Sequence, residues 1–231
     1  MIQMDMRRIR MLKLINRLRM FFDLPPIDYT PPVAVIELSV KDAGEFMPEG
    51  LRLIEITNIQ KEVIDRTLTL EGNSKYTNYI ENGKRRPTKF GITLDTLKVI
   101  KPNATASDIK KLTRIDAIGI YKDLYWEEGQ VDKFPVYLQD IAFDGMVNHG
   151  VYGMAKVIQR SLNDLGNNLK VDGVIGSATL NALKSKDEKE IRNAILNRRE
   201  RLYRGLRDWH KFGTGWLNRL KAVKEPPSYI V

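Results

Sequence analysis

From Thr57 to Val223 the apolar residues recur at intervals of three and four, the spacing that gives a helix one buried face. The first segment opens at Thr57, which forms a capping-box pattern with Gln60, and runs to about Glu71, where Gly72 closes it. Shorter helices are predicted at 94–100 and 107–113, a longer one at 114–126, and another at 135–148 whose first turn suits Pro135. Helices near 152–165 and 177–184 flank the turn-rich run LGNNLKVDGVIG, with Ser177 as the N-cap of the second. A long helix at 187–208 sets Ile191, Ile195, Leu202 and Leu206 on one face, and a last one from Trp216 to Val223 precedes Pro226 and Pro227. The polar stretch from Asn73 to Phe90 lacks this periodicity and reads as a prominent loop.

Residues 1–56 follow a different pattern. Arg7 to Phe22 reads as a basic amphipathic helix, with Ile9, Leu12, Leu14, Ile15, Leu18 and Phe22 near helical spacing and arginines between them. Pro25, Pro26, Pro31 and Pro32 then mark an extended linker. VAVIELSV (33–40) and LRLIEI (51–56) alternate like short strands, paired across the turn region from Gly44 to Gly50. The expected protein is mainly α, with an N-terminal appendage at 1–56 (basic helix, proline-rich linker, short strands), a first helical half at 57–134 and a second at 135–231.

Composition adds limits on the chemistry. A chain of 231 residues with 42% hydrophobic and 29% charged residues can bury a proper core. It has no cysteine and two histidines, His149 and His210, so a thiol nucleophile is excluded and neither a four-ligand zinc site nor an HExxH pair can be assembled. Carboxylate chemistry without metal or other cofactor is the most economical reading. The net charge of +9 suits an anionic partner such as nucleic acid, an acidic membrane or bacterial wall, and charge alone does not choose among them. No nucleic-acid reader motif is present, so a nucleic-acid partner is not expected. Arginines interrupt every apolar run in residues 1–22, which leaves neither a membrane span nor a secretion-signal pattern.

Glu71 is the leading candidate for chemistry. Ile64, Leu68 and Glu71 stand at i, i+4 and i+7, which puts the carboxylate on the apolar stripe at the helix end. Burial and the negative end of the helix dipole both disfavour the charged form there, the condition a general acid requires. A glutamate at the edge of the stripe that simply reaches solvent fits the same spacing. The loop that follows supplies Glu81, the only acidic residue between Glu71 and Asp95, then Thr88, able to orient a water, and Gly91, which permits close backbone approach. In the second half, Asp144, Asn148 and His149 share a helix at i, i+4 and i+5, but no further His or Cys completes a metal site, and Asn148 reads as a sugar or loop hydrogen-bonder. Tyr125 and Trp126 read as core or as a sugar platform. DGVIGSATL serves as a plain helix connector or as a binding element, and Arg198, Arg199, Arg201, Arg204 and Arg207 as a solvated face or a patch for anionic polymer.

These segments resemble glycoside hydrolase family 108, phage and prophage N-acetylmuramidases in which a lysozyme-like half precedes a predicted peptidoglycan-binding half. The resemblance rests on LEG (70–72), RPTKFGIT (86–93), IYKDLYW (120–126), FDGMVNHG (143–150), VIQRSLN (157–163), VDGVIGSATLNAL (171–183) and GWLNR (215–219), in order over roughly 57–223. The family pattern departs at Asn73, where a second glycine is usual, and in a longer loop to Thr88, so its acidic position carries over loosely, onto Glu81. The resemblance implies a lysozyme-like fold and hydrolysis of the β-1,4 bond between N-acetylmuramic acid and N-acetylglucosamine. Glu71 is then the acid, Glu81 activates water or stabilises positive charge, and Thr88 aligns the nucleophile. Lytic transglycosylase chemistry and a phage structural protein with little activity are the alternatives. Residues 1–56 lie outside the resemblance and are expected to dock on virion or tail proteins, with action in the virion or at the host cell envelope after delivery.

Overall fold

The computed structural model describes residues 33–36, 54–72, 74–81, 84–225 and 227. The chain divides into two compact units, residues 1–31 and 32–231, and every described residue belongs to the second. The expected basic helix at 7–22, the proline linker and the turn at 44–50 lie outside the described residues. Strand β1 (Val33–Ile36) pairs antiparallel with β2 (Ile54–Thr57), Val33 opposite Thr57 and Ile36 opposite Ile54. Ile56 is only 1% exposed and packs in the main core, so the expected boundary at 56/57 cuts off a strand that the body buries.

Thr57 ends β2 and caps α1 (Asn58–Leu70): its hydroxyl accepts from the Gln60 amide at 3.1 Å while the Gln60 side chain accepts from the Thr57 amide at 2.9 Å. The predicted apolar stripe is real, since Val63, Ile64 and Leu68 are buried. The stretch expected to be a loop instead forms β3 (Thr77–Glu81), β4 (Lys84–Lys89) and β5 (Ile92–Thr93), one antiparallel sheet in the order β3-β4-β5. Its outer strand is largely solvated, with Tyr79 48% and Ile80 69% exposed, so no apolar alternation advertises it. The signal in the sequence was Asn82-Gly83, the dipeptide favoured between hairpin strands.

Three short helices follow, α2 (Leu94–Ile100), α3 (Ala106–Lys111) and α4 (Arg114–Tyr121), each entered through a threonine N-cap. The helix predicted to reach 126 leaves α geometry after Tyr121 for a π-helical turn, Lys122–Glu127. α5 (Val136–His149) is the central element, with Leu138, Ile141, Ala142, Phe143 and Met146 fully buried. Around it lie α6 (Val151–Asp164), α8 (Glu188–Arg204) and α9 (Trp209–Lys224), while α7 (Ser177–Lys184) packs on α6. α7 is capped by Gly176, not by Ser177, which is its first helical residue. α8 stops at Arg204 and leaves Leu206 41% exposed, off the face predicted for it. α9 starts at Trp209 rather than Trp216, because Gly213 is a packing contact and not a break: a Cβ there would lie 2.8 Å from the Trp209 ring.

α5 also packs against α1, and the residues on both sides of the expected 134/135 boundary share one hydrophobic core. Ion pairs run across the same line. Arg66 of α1 lies 3.6 Å from Asp140 of α5, which Arg192 of α8 also grips through two bonds of 2.6 and 2.9 Å, and Arg66 donates to the Glu225 carbonyl at 2.8 Å. The two halves are therefore one packed body.

Candidate active site

Glu71 is the C-cap of α1, its amide still bonded to the Thr67 carbonyl at 3.0 Å, and the chain turns away through Gly72 at φ +85°. Its side chain is 21% exposed. The stripe of Ile64 and Leu68 leads to it as expected, but what meets the carboxylate is a cation rather than apolar surface: Arg219 of α9 donates to Oε1 at 2.6 Å. The other oxygen faces the tight turn between β4 and β5. Phe90 and Gly91 there adopt φ of 53° and +74°, and a Cβ on Gly91 would fall 2.7 Å from Glu71 Oε2 and 2.7 Å from the Tyr121 hydroxyl. Tyr121 fastens the turn by donating to the Phe90 carbonyl at 2.8 Å.

Behind Glu71 the charges alternate. Arg219 also donates through Nε to Asp144 Oδ1 at 2.9 Å, and Arg199 donates to Asp144 Oδ2 at 2.6 Å. Asp144 and Arg199 are buried, at 1% and 0% exposure. Burial works against the Asp144 charge, but the two arginines outweigh it and hold its carboxyl below the usual range. Burial likewise opposes the Arg219 charge, and Asp144 and Glu71 overcome it, keeping the guanidinium more firmly protonated than usual. His149 accepts from Arg199 Nε at 3.3 Å; burial and that arginine push its pKa down to about 4, so it is a neutral acceptor. Burial, with the Glu71 charge second, raises the hydroxyls of Tyr121 and Tyr125.

Thr88 lies half-buried on β4, opposite Thr77 and Thr93, with its hydroxyl donating to the Ile92 carbonyl at 3.1 Å and its lone pairs able to accept. Glu81 ends β3 opposite Lys84, at the hairpin's turn, roughly 13 Å along the strand from the Thr77–Thr88 pair. Thr88 and Gly91 thus share the β4–β5 end of the sheet that reaches Glu71, whereas Glu81 belongs to the opposite end. Tyr125 is half-buried with its ring 5.5 Å from that of Tyr121. Trp126 is fully buried and donates to Asp132 at 2.8 Å, which makes it a core residue closed to a ligand, not a platform. Asn148 is exposed at the end of α5 and accepts from the Tyr203 hydroxyl at 2.6 Å.

The arginine run of α8 is not a single solvated face. Arg199 is wholly buried, Arg198 and Arg201 both pair with Asp164, and Arg204 pairs with Glu200. In the connector before α7, buried Gln159 accepts from the Gly173 amide at 2.9 Å and donates to the Val174 carbonyl at 3.0 Å, so DGVIG is a stapled turn. Among the described residues no group of three His, Cys, Asp or Glu side chains is placed to hold a metal ion. A cleft of about 670 Å³ lies on the polar face of α1, beside Asn58, Lys61, Asp65 and Arg66, away from the stripe that ends in Glu71. Sequence reasoning missed Arg219. It lies in the GWLNR segment, but nothing local connects it with a glutamate 148 positions away.

Residues 64–150 match the family model described as glycosyl hydrolase 108. That segment carries a family 108 glycoside hydrolase domain. Residues 154–221 match a second model, described as a predicted peptidoglycan domain. Among solved structures, that of Brucella abortus SagA is similar, at 26% identity and a TM-score of 0.63, covering 71% of this chain and 91% of that one. No curated protein matches the chain at a significant level. With these two domains the chain is a peptidoglycan hydrolase of the glycoside hydrolase class.

Proposed function

We propose that this family 108 hydrolase is an N-acetylmuramidase that cleaves the β-1,4 bond between N-acetylmuramic acid and N-acetylglucosamine, with Glu71 protonating the leaving oxygen. The observation that carries the reading is the seat of Glu71. One carboxyl oxygen is anchored on Arg219, and the other faces the recess left by the missing Cβ of Gly91. Held in this way, Glu71 presents Oε2 in one fixed direction, the positioning that proton transfer to a leaving oxygen needs. Thr88 has lone pairs left to accept from a water, Glu81 at the far end of the hairpin is the candidate second acid, and Tyr125 and Asn148 border the sugar path.

The test is Glu71→Gln assayed on purified wall. Lysis should fall to background while the melting temperature stays within a few degrees of wild type, and retention of more than a few per cent of activity overturns the assignment. Mass spectrometry of the wild-type products should find reducing N-acetylmuramic acid ends. Anhydro ends would move the chemistry to a lytic transglycosylase and remove the need for Glu81. The proposal extends to delivery: residues 1–31, which precede the strand pair of the body, dock on a virion or tail, and the body is left to meet the wall.

A further inference from the structure

The two family models divide the chain between a hydrolase segment and a peptidoglycan segment, a division that suggests a catalytic module and a separate wall-binding one. The contacts of Glu71 say otherwise. Arg219, which donates to its carboxylate, lies in the peptidoglycan segment, and so does Arg199. Asp144, between those two arginines, lies in the hydrolase segment. Four charges therefore alternate in sign from the core outward, Arg199, Asp144, Arg219 and Glu71, with links of 2.6, 2.9 and 2.6 Å. Each inner charge is held on two sides, and Arg219 itself is only 11% exposed.

A guanidinium is the group suited to this place. Its planar fork binds two carboxylates in fixed directions at once, whereas an ammonium acts as a point charge on a flexible stem. Asp144, wholly buried, fixes the direction of the fork, and the fork fixes Glu71 Oε1. That leaves Oε2 aimed at the Gly91 recess. We infer that Arg219 is a positioning residue for Glu71, and that residues 154–221 complete the hydrolytic centre instead of serving only to hold wall. The inference rests on Glu71 being the acid, as proposed above.

The experiment uses the full chain and reads wall binding and turnover separately. Arg219→Met and Arg219→Lys are assayed for pelleting with insoluble peptidoglycan, and for kcat and KM on soluble glycan strands, at a temperature below each protein's melting midpoint. Arg219→Met should pellet like wild type with little change in KM, while kcat falls about 10²-fold, the scale expected when a reacting group is misplaced by an ångström. Arg219→Lys should fall between the two, several-fold below wild type. If Arg219→Met is too unstable to assay, Arg219→Lys carries the test alone. Wild-type kcat in the variant that is read overturns the inference, and so does a loss carried by KM with a matching loss of pelleting. The underlying reading fails separately: an active Glu71→Gln removes Glu71 as the acid, whereas an inactive Glu71→Gln beside a fully active Arg219→Met removes only the role of Arg219.

Discussion

Gly91 shows how much depends on the absence of one atom. Its φ of +74° is a conformation that costs a residue with a Cβ, and that Cβ would fall 2.7 Å from both Glu71 Oε2 and the Tyr121 hydroxyl. Gly91→Ala is therefore expected to lose at least about 1 kcal/mol of stability. It should also lose wall hydrolysis on the order of 10²-fold, by pushing Glu71 off its seat. Thermal unfolding and turnover on soluble glycan measure the two effects, and a variant with normal turnover would mean that the recess is not needed. At this scale the sequence was partly legible. Ile64, Leu68 and Glu71 sit where periodicity puts them, because helical phase is a local property. The surroundings of the carboxylate were not legible, since Arg219 reaches it only after the whole body has closed.

Among the elements, those built from local signals were the readable ones. Thr57 and Gln60 form the reciprocal box that their spacing predicts, and the same device opens α3 and α4 at Thr105 and Thr113. Thr57→Ala should cost roughly 1 kcal/mol, read as a lower melting temperature, with wall hydrolysis unchanged well below it. A drop in turnover at low temperature would instead tie the start of α1 to the site at its far end. The elements that escaped reading depend on neighbours. The β3–β4 hairpin exposes its outer strand, so polarity hid it, and the π-helical turn that ends α4 shifts the phase that buries Trp126. α9 begins at Trp209, ahead of the Trp216 start read from the sequence, with the Trp209 ring packed against Gly213.

For the molecule as a whole, α5, buried from Leu138 to Met146, ties the N-terminal and C-terminal helices into one core, and no cut between the two family segments leaves that core intact. Ile56, ahead of the boundary expected at 56/57, belongs to the same core. A chain beginning at Pro32 should melt like the full-length protein and hydrolyse soluble glycan at the full rate. One beginning at Thr57 loses β1, β2 and Ile56, whose burial alone contributes about 1.5–3 kcal/mol, and should melt clearly lower. Equal melting of the two would show that the strand pair is not part of the body's stability. If residues 1–31 dock on a particle, both truncated chains lose that association. A Pro32 chain that still co-purifies with particles would place the docking surface in the body.

The sequence by itself determined the mainly α class, most helix positions, the apolar stripe leading to Glu71, the capping boxes and the family. Each is written in spacings of three or four residues or in short ordered motifs, and such signals survive without a folded context. Tertiary structure alone decided that Trp126 is core, that Arg199 is buried while its neighbours in the run pair at the surface, and that strand β2 belongs to the body. It alone also joined Glu71 to Arg219 and Asp144. The physical reason is range. A helix is specified by neighbours in the chain, but a partner 148 residues away is chosen by packing, and no local pattern announces which buried charge will find which.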